Sequence, residues 1–114
     1  MNQVNNMKTT ETYEIKIHVA GDIKAIETVC RIFCLRGYCV TVTPTNYIYT
    51  GGNETGAVVG IMNYARFPKS QVEHNEAAMQ LAQRLMADCF QRSCSVVTPA
   101  ETHYLENPAI VIPK

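Results

Sequence analysis

Hydrophobic and polar residues change their spacing along the chain, and each change predicts a new element. From 13 to 20 (YEIKIHVA) apolar and polar residues alternate, the pattern of a strand with one buried face. From 21 to 37 apolar residues recur every three or four positions, which predicts a helix. Asp22 is suited to cap the start of this helix, and Gly37 to end it.

The middle of the chain returns to β-type sequence. Residues 38–52 (YCVTVTPTNYIYTGG) contain Pro44, which predicts an edge strand or a break because proline has no N–H for a ladder. Residues 57–64 (AVVGIMNY) are apolar on both faces, which predicts a central strand. The stretch TGGNETG between them is interpreted as a hairpin loop. A phosphate-binding loop is the weaker alternative because no helix follows it.

The most regular helical pattern covers residues 70–90. Ser70 and Glu73 form an S-x-x-E capping box at its start. The apolar stripe of this helix consists of Ala78, Leu81, Ala82, Leu85 and Cys89. Residues 93–105 predict a last strand, which Pro99 bends or ends.

The element order βαββαβ predicts an α+β domain of the ferredoxin-like type. It has a four-stranded antiparallel sheet, with the first and third strands central, and two helices on one face. We expect a flexible tail over 1–11, the domain over 12–106 and a C-terminal arm over 107–114. The helix-free face of the sheet carries half of the apolar residues of 57–64. This composition predicts that a second copy covers the face in a homodimer or larger oligomer.

Composition narrows the environment and the partners. The 114 residues carry 10 basic and 10 acidic side chains, and this balance argues against a nucleic-acid-coating or polybasic membrane-binding surface. No apolar run is long enough for a membrane helix and no signal-peptide centre is visible, so we expect a cytoplasmic protein. The 5 cysteines form no CxxC pair and the 3 histidines are scattered. Free thiols and no metal site are therefore expected.

No catalytic motif is recognisable, so the sequence predicts no catalytic residues, no cofactor and no enzymatic activity. Acylphosphatases share this element order, but their glycine-rich loop after the first strand is replaced here by HVAGDIK. RNA-recognition domains also share it, but their aromatic and basic run is missing.

The segment NYARFP, between the central strand and the capped helix, carries the candidate binding residues. Arg66 offers a planar fork for an anion, and Tyr64 and Phe67 offer flat faces for a base. The adjacent helix start attracts anions. The full predicted ligand site is Arg66, Tyr64, Phe67, Asn63, Asn75 and Arg92. The alternative is corner packing, in which Phe67 staples the helix entrance and Arg66 pairs with Glu73 or Glu76.

The segment YTGGNETGAVVGIMNYARFP, together with the capped helix and QRSCSVVTPAETHYL, resembles small proteins carried by phages and prophages. Several such proteins, the anti-Thoeris sponges among them, bind nucleotide signals of bacterial immune systems without turning them over. The resemblance covers about residues 38–105 and transfers no ligand-binding residue. It implies a compact oligomer that sequesters a small nucleotide-type molecule. A protein–protein interaction module that inhibits a host protein is the alternative, and a small enzyme or RNA-binding domain is the third hypothesis.

Overall fold

A computed structural model describes residues 6–110; the first five residues of the predicted tail and the last four of the predicted arm lie outside it. The helices and strands are β1 (Glu14–Ala20), α1 (Ile23–Phe33), a 3₁₀ turn (Cys34–Arg36), β2 (Thr41–Tyr49), β3 (Gly52–Met62), α2 (Gln71–Asp88), β4 (Ser93–Val97) and β5 (Thr102–Glu106).

Both helices begin at the residues that the sequence indicates. The Asp22 carboxylate accepts a hydrogen bond from the Ala25 N–H at 3.0 Å, which satisfies a free donor of the first turn of α1. At the start of α2, Ser70 and Glu73 form the predicted capping box. Gly37 ends the 3₁₀ turn in a left-handed conformation with φ of +94°, which a residue without Cβ adopts without strain.

The sheet has five antiparallel strands in the order β2-β3-β1-β4-β5. β1 and β3 are interior strands, as predicted, and the first four strands follow the expected order. The predicted number of four strands is wrong because residues 93–105 form a hairpin instead of one bent strand. The Thr98 hydroxyl makes this turn: it donates to the Glu101 carbonyl at 3.0 Å and accepts from the Glu101 N–H at 3.0 Å.

The β2–β3 hairpin also differs from the prediction in its length. β3 begins at Gly52 rather than at 57, since all of the Gly52–Gly56 segment pairs with β2. The turn needs only Thr50 and Gly51, and Gly51 has φ of +86°. The hairpin interpretation is therefore confirmed with a shorter loop. Pro44 lies within β2, which is an edge strand, as the missing N–H requires.

One face of the sheet and the two helices enclose the core. Its largest fully buried side chains are Ile15, Ile17, Ile26, Ile61, Leu81, Leu85, Val19, Val59 and Val96. Cys30 and Cys94 belong to this core, and burial raises the pKa of Cys30 to about 12 and that of Cys94 to about 11. These two thiols are therefore protonated apolar side chains, as predicted. Cys39, in contrast, is exposed.

The opposite face of the sheet, here called the open face, carries no helix. The register places Val58, Gly60 and Met62 on it beside Lys16 and His18 of β1. Tyr104 lies on the same face, opposite Ser95, and is 64% exposed. Among residues 6–110, no helix is both long and apolar enough to span a membrane.

Candidate functional site

The ends of three strands meet at the entrance of α2. The Asn63 N–H, just past β3, donates to the Tyr13 carbonyl before β1 at 3.2 Å. The β2–β3 register, continued past Thr41 and Gly60, brings Tyr38 to the same end. We call this region the aromatic corner; it consists of Tyr13, Tyr38, Asn63, Tyr64, Phe67, Lys69 and His74.

Asn63 lies at the centre of the aromatic corner and is 7% exposed. Its Nδ2 donates to Thr10 Oγ1 at 3.1 Å and to the Glu11 carbonyl at 2.9 Å. Its Oδ1 accepts from the Lys69 N–H at 3.1 Å and faces His74 Nε2 at 3.2 Å. These four contacts use the whole hydrogen-bonding capacity of the amide. Asn63 therefore holds the corner together and has no group left to read the edge of a base.

His74 is the buried titratable group of the corner, at 3% exposure. Because Asn63 Oδ1 is an acceptor, Nε2 carries the proton and Nδ1 is the unprotonated nitrogen. Within the described chain, Nδ1 is buried and has no hydrogen-bond partner. Burial lowers the pKa of His74, and the positive charge of Lys69 lowers it further. The imidazole is consequently neutral at neutral pH.

Aromatic rings surround this imidazole and continue to the surface. The Tyr13 and Tyr38 rings meet His74 edge-on, with centroids 5.5 and 5.7 Å away. Further out, the Tyr64 and Phe67 rings lie 5.7 Å apart, and Phe67 is 42% exposed. The Lys69 ammonium lies 4.6 Å from the centre of the Tyr38 ring and 5.7 Å from that of Phe67. The corner thus combines flat aromatic faces with a cation-binding position over the Tyr38 and Phe67 rings, here called the cation seat.

The remaining predicted site residues are placed differently. Arg66 is exposed and forms no salt bridge within residues 6–110, so the alternative in which it pairs with Glu73 or Glu76 is not formed. Asn75 is half-buried in α2, and its Oδ1 is buried without a hydrogen-bond partner in the described part of the chain.

Arg92 does not belong to the aromatic corner. The β1–β4 register places Arg92 beside Gly21, at the other end of β1 from Tyr13. The separation from Tyr13 to Gly21 along this strand is about 26 Å at 3.3 Å per residue. Its inclusion in one site with Arg66 is therefore corrected: sequence alone does not show which end of a strand faces which.

Four corner residues were absent from the predicted site, namely Tyr13, Tyr38, Lys69 and His74. His74 has a sequence signal, since it precedes Ala77, Ala78 and Leu81 at helical spacing and so falls on the buried stripe of α2. Tyr13 and Tyr38 could be found only from the strand register, which sets both beside Asn63.

Five grooves lie away from the corner in the described part of the chain, and two of them border α2. One, of about 260 Å³, runs between the helices and is lined by Phe33, Arg36, Arg84 and Asp88 among others. Its charges are already engaged, because Arg84 pairs with Asp88 at 3.3 Å and Arg36 stacks on Phe33 at 4.1 Å. The other, of about 640 Å³, lies between Met86, Leu105 and Pro108 and is mainly apolar. Neither groove combines exposed aromatic faces with an unpaired charge.

Comparison with known proteins identifies relatives by fold only. No family model matches the chain, and no curated protein matches it. A phage SAM (S-adenosylmethionine) lyase in its apo state is similar in structure, with a TM-score of 0.68 and 14% identity over 84% of this chain and 90% of the lyase. A phage SAM lyase in complex with S-methyl-5′-thioadenosine has a TM-score of 0.57 and 14% identity, over 91% of this chain and 96% of that one.

These similarities overturn one expectation and support another. The absence of a familiar catalytic motif predicted a non-enzymatic sequestering protein, but the solved structures with this fold are named as an enzyme. The predictions of no enzymatic activity and of a sponge are corrected on this ground. The resemblance to small phage proteins agrees with both structures at the level of the α+β fold, and the expected nucleotide-like ligand agrees with the thioadenosine bound in one of them.

Proposed function

We propose that this protein is an enzyme that cleaves SAM and releases S-methyl-5′-thioadenosine. The observation that carries the proposal is the similarity of nearly the whole fold to a phage SAM lyase, with a TM-score of 0.68 over 90% of that chain. The complex with S-methyl-5′-thioadenosine supports the same substrate class, because that molecule is the part of SAM that keeps the adenosine, the sulfur and the methyl group.

The identity of this product defines the bond that breaks. Only the bond between the sulfonium sulfur and Cγ of the methionine chain can break to give it. The sulfur takes both electrons of this bond and becomes a neutral thioether. The four-carbon fragment then leaves either after its own carboxylate attacks Cγ, which forms a C–O bond and needs no proton transfer, or after loss of a proton from the carbon next to Cγ. Neither route consumes water.

The aromatic corner and the neighbouring Arg66 offer a suitable group for each part of SAM. The Tyr64 ring supplies a face for adenine, and such stacking contributes about 1–3 kcal/mol per base. Arg66 is exposed and unpaired in the described chain, and its fork matches the carboxylate of the methionine part. Burial keeps His74 neutral, with an unprotonated Nδ1. If the fragment leaves by proton loss, the unprotonated Nδ1 is a base within the corner, and it becomes accessible to the substrate only when the surrounding rings move.

The corner is continuous with the open face of the sheet. Glu14 pairs with Met62 on that face, and its charge helps raise the pKa of Tyr64, behind the larger effects of the Cys39 hydrogen bond and burial. Met62 is 48% exposed and Tyr104 on the same face is 64% exposed, and exposed apolar groups gathered on one face mark an interaction surface. We therefore propose that a second copy covers the open face and closes the corner. Light scattering of the purified protein tests this, and a monomer at micromolar concentration would contradict it.

Incubation with SAM tests the activity directly. We expect chromatography to show S-methyl-5′-thioadenosine accumulating, with no oxygen from labelled water in the freshly released four-carbon fragment. The matched pair Arg66→Ala and Arg92→Ala removes one exposed guanidinium from each end of the sheet. Loss of a hydrogen bond to a charged group costs about 1.5–3 kcal/mol, so Arg66→Ala should lower kcat/KM by about tenfold or more and Arg92→Ala should not. Unchanged SAM after long incubation would refute the proposed function.

A further inference from the structure

The Lys69 ammonium rests on aromatic rings and not on a carboxylate. It lies 4.6 Å from the Tyr38 ring centre and 5.7 Å from that of Phe67, both within the range of a cation–π contact. Among residues 6–110 it takes part in no salt bridge. The corner therefore contains a place that accepts a positive charge through ring faces alone.

The Tyr38 ring is held in place by packing, whereas the cation is carried by a flexible side chain. The Tyr38 ring packs against Phe33, with centroids 5.6 Å apart, and against His74. The Lys69 backbone is held at both ends of the residue, since its N–H donates to Asn63 and its carbonyl accepts from the Tyr13 hydroxyl. Only the four-carbon side chain of Lys69 can move without breaking these contacts.

The electrostatic surroundings also favour a cation here. Burial raises the pKa of Tyr38, the negative charges of Glu73 and Glu76 add to the increase, and the positive charge of Arg36 opposes it. Glu73 is itself held at the start of α2, where its carboxylate accepts from the Ser70 N–H at 3.3 Å. A positive group over the Tyr38 ring thus lies near a carboxylate without pairing with it.

A sulfonium group suits such a seat better than an ammonium does. It carries a permanent charge but no N–H, so it cannot use a carboxylate or carbonyl as a hydrogen-bond partner. Aromatic faces recognise alkylated cations through the same attraction that selects quaternary ammonium ligands. The order of groups along the corner, from Tyr64 through Phe67 to the cation seat, also follows the order of adenine and sulfur in SAM.

We propose that Tyr38 and Phe67 bind the sulfonium of the substrate and that Lys69 occupies this seat only while no substrate is bound. The proposal rests on the proposed function and deepens it. Cleavage turns the sulfonium into a neutral thioether, so the seat loses its attraction for the product. The same two rings therefore hold the substrate more tightly than the product and favour product release.

Calorimetric binding of unreactive analogues tests the seat without requiring turnover. Sinefungin has a carbon in place of the sulfonium sulfur and a protonated amine in place of its methyl group, whereas S-adenosylhomocysteine has a neutral thioether. We expect the wild type to prefer sinefungin, and Phe67→Leu and Tyr38→Leu to reduce this preference by roughly 2- to 30-fold, the range of a cation–π contact. Tyr38→Phe keeps the ring and should retain the preference. Tyr49→Leu, an exposed aromatic on the β2–β3 hairpin, is the control.

The Lys69→Met variant tests whether the substrate displaces the lysine or whether the lysine only packs on the rings as part of the fold. Removal of the competing ammonium should raise the affinity for sinefungin, and a lower affinity would overturn the displacement. Equal binding of the two analogues by the wild type, or a preference that survives both leucine variants, would overturn the seat. Absence of product from SAM would instead refute the proposed activity. Even then, loss of the preference for sinefungin in Phe67→Leu would support a cation-binding site at these rings.

Discussion

Each end of the sheet is closed by a buried asparagine, and the two differ in what they hold. Asn107 is 8% exposed, and its Nδ2 donates to the carbonyls of Met86 and Gln91, both at 3.1 Å. Its Oδ1 accepts from the Ala109 N–H at 3.0 Å, so every side-chain contact goes to backbone. Asn63 at the other end is as buried, but its network includes the Thr10 hydroxyl and the His74 ring.

The difference separates an end held by backbone contacts alone from an end that also holds a titratable side chain. A network made of backbone atoms can only fix the chain path, which is what Asn107 does where α2, β4 and the segment after β5 meet. A network that includes an imidazole also fixes its tautomer and its orientation. Asn63 therefore links the stability of the fold to the state of the candidate site.

The largest expected effect comes from removing each asparagine in turn. Asn63→Ala and Asn107→Ala should each lower the free energy of unfolding by about 2–4 kcal/mol, because buried donors and acceptors lose their partners. Only Asn63→Ala should also reduce the release of S-methyl-5′-thioadenosine per folded molecule. Urea denaturation and product assays under folding conditions measure the two effects. An Asn107→Ala variant with the larger catalytic defect would reverse the assignment of the two ends.

A smaller effect should appear as pH dependence that only the Asn63 end shows. The folded pKa of His74 is lowered by burial, so the unfolded chain binds the proton more readily, and stability rises with pH in this range. The stabilisation by neutral His74 is complete above the unfolded pKa of about 6.5 and declines as the pH falls through the lower folded pKa. The urea midpoint should therefore decrease as the pH is lowered from about 7.5 to about 5.

His74→Gln removes the titrating group and keeps a side-chain N–H donor toward Asn63. We expect the slope of stability against pH to be smaller in this variant than in the wild type. His103→Gln, on β5 near exposed Glu101, is the control for the other histidines. Parallel curves for the wild type and His74→Gln would show that His74 does not contribute to the pH dependence.

The smallest effects are expected at two residues with a left-handed backbone, Phe90 and Gly37. Each ends a helical segment, and they lie at opposite ends of the sheet. Phe90, after α2, has φ of +53° and is 83% exposed, so it bears strain that its ring does not offset by packing. Phe90→Gly should stabilise the fold by about 0.5–1 kcal/mol. Gly37 has φ of +94° and open space around it, so Gly37→Ala should cost about 1 kcal/mol through the backbone alone. A destabilised Phe90→Gly variant would reveal a contact of the ring that a single copy lacks.

Features set by a few neighbouring residues could be predicted from sequence. The capping box of Ser70 and Glu73 and the cap at Asp22 need only local geometry, so both helix starts were correct. The interior position of β3 follows from its two apolar faces. The start of β3 was missed because its glycine-rich and polar first residues resemble a loop. They become a strand only because β2 is long enough to pair with them.

The candidate site was predictable only in part because it depends on register. Tyr64 and Phe67 of the corner, and Arg66 beside them, were predicted together because they lie close to one another in sequence. Tyr13 and Tyr38 join them through pairing between strands, and Arg92 is separated from them for the same reason. The proposed enzymatic activity could be inferred only from the similarity of the fold, because no local sequence motif indicates it.

Pro44 has a consequence for how copies of this chain can associate. It lies in the middle of β2, the long edge strand, where it removes one of the donors that an added strand would use. Continuous edge-to-edge pairing, the first step toward fibrous aggregation, is therefore blocked on this side of the sheet. Copies of the chain that meet along the β2 edge can therefore pair over only a few residues on either side of Pro44.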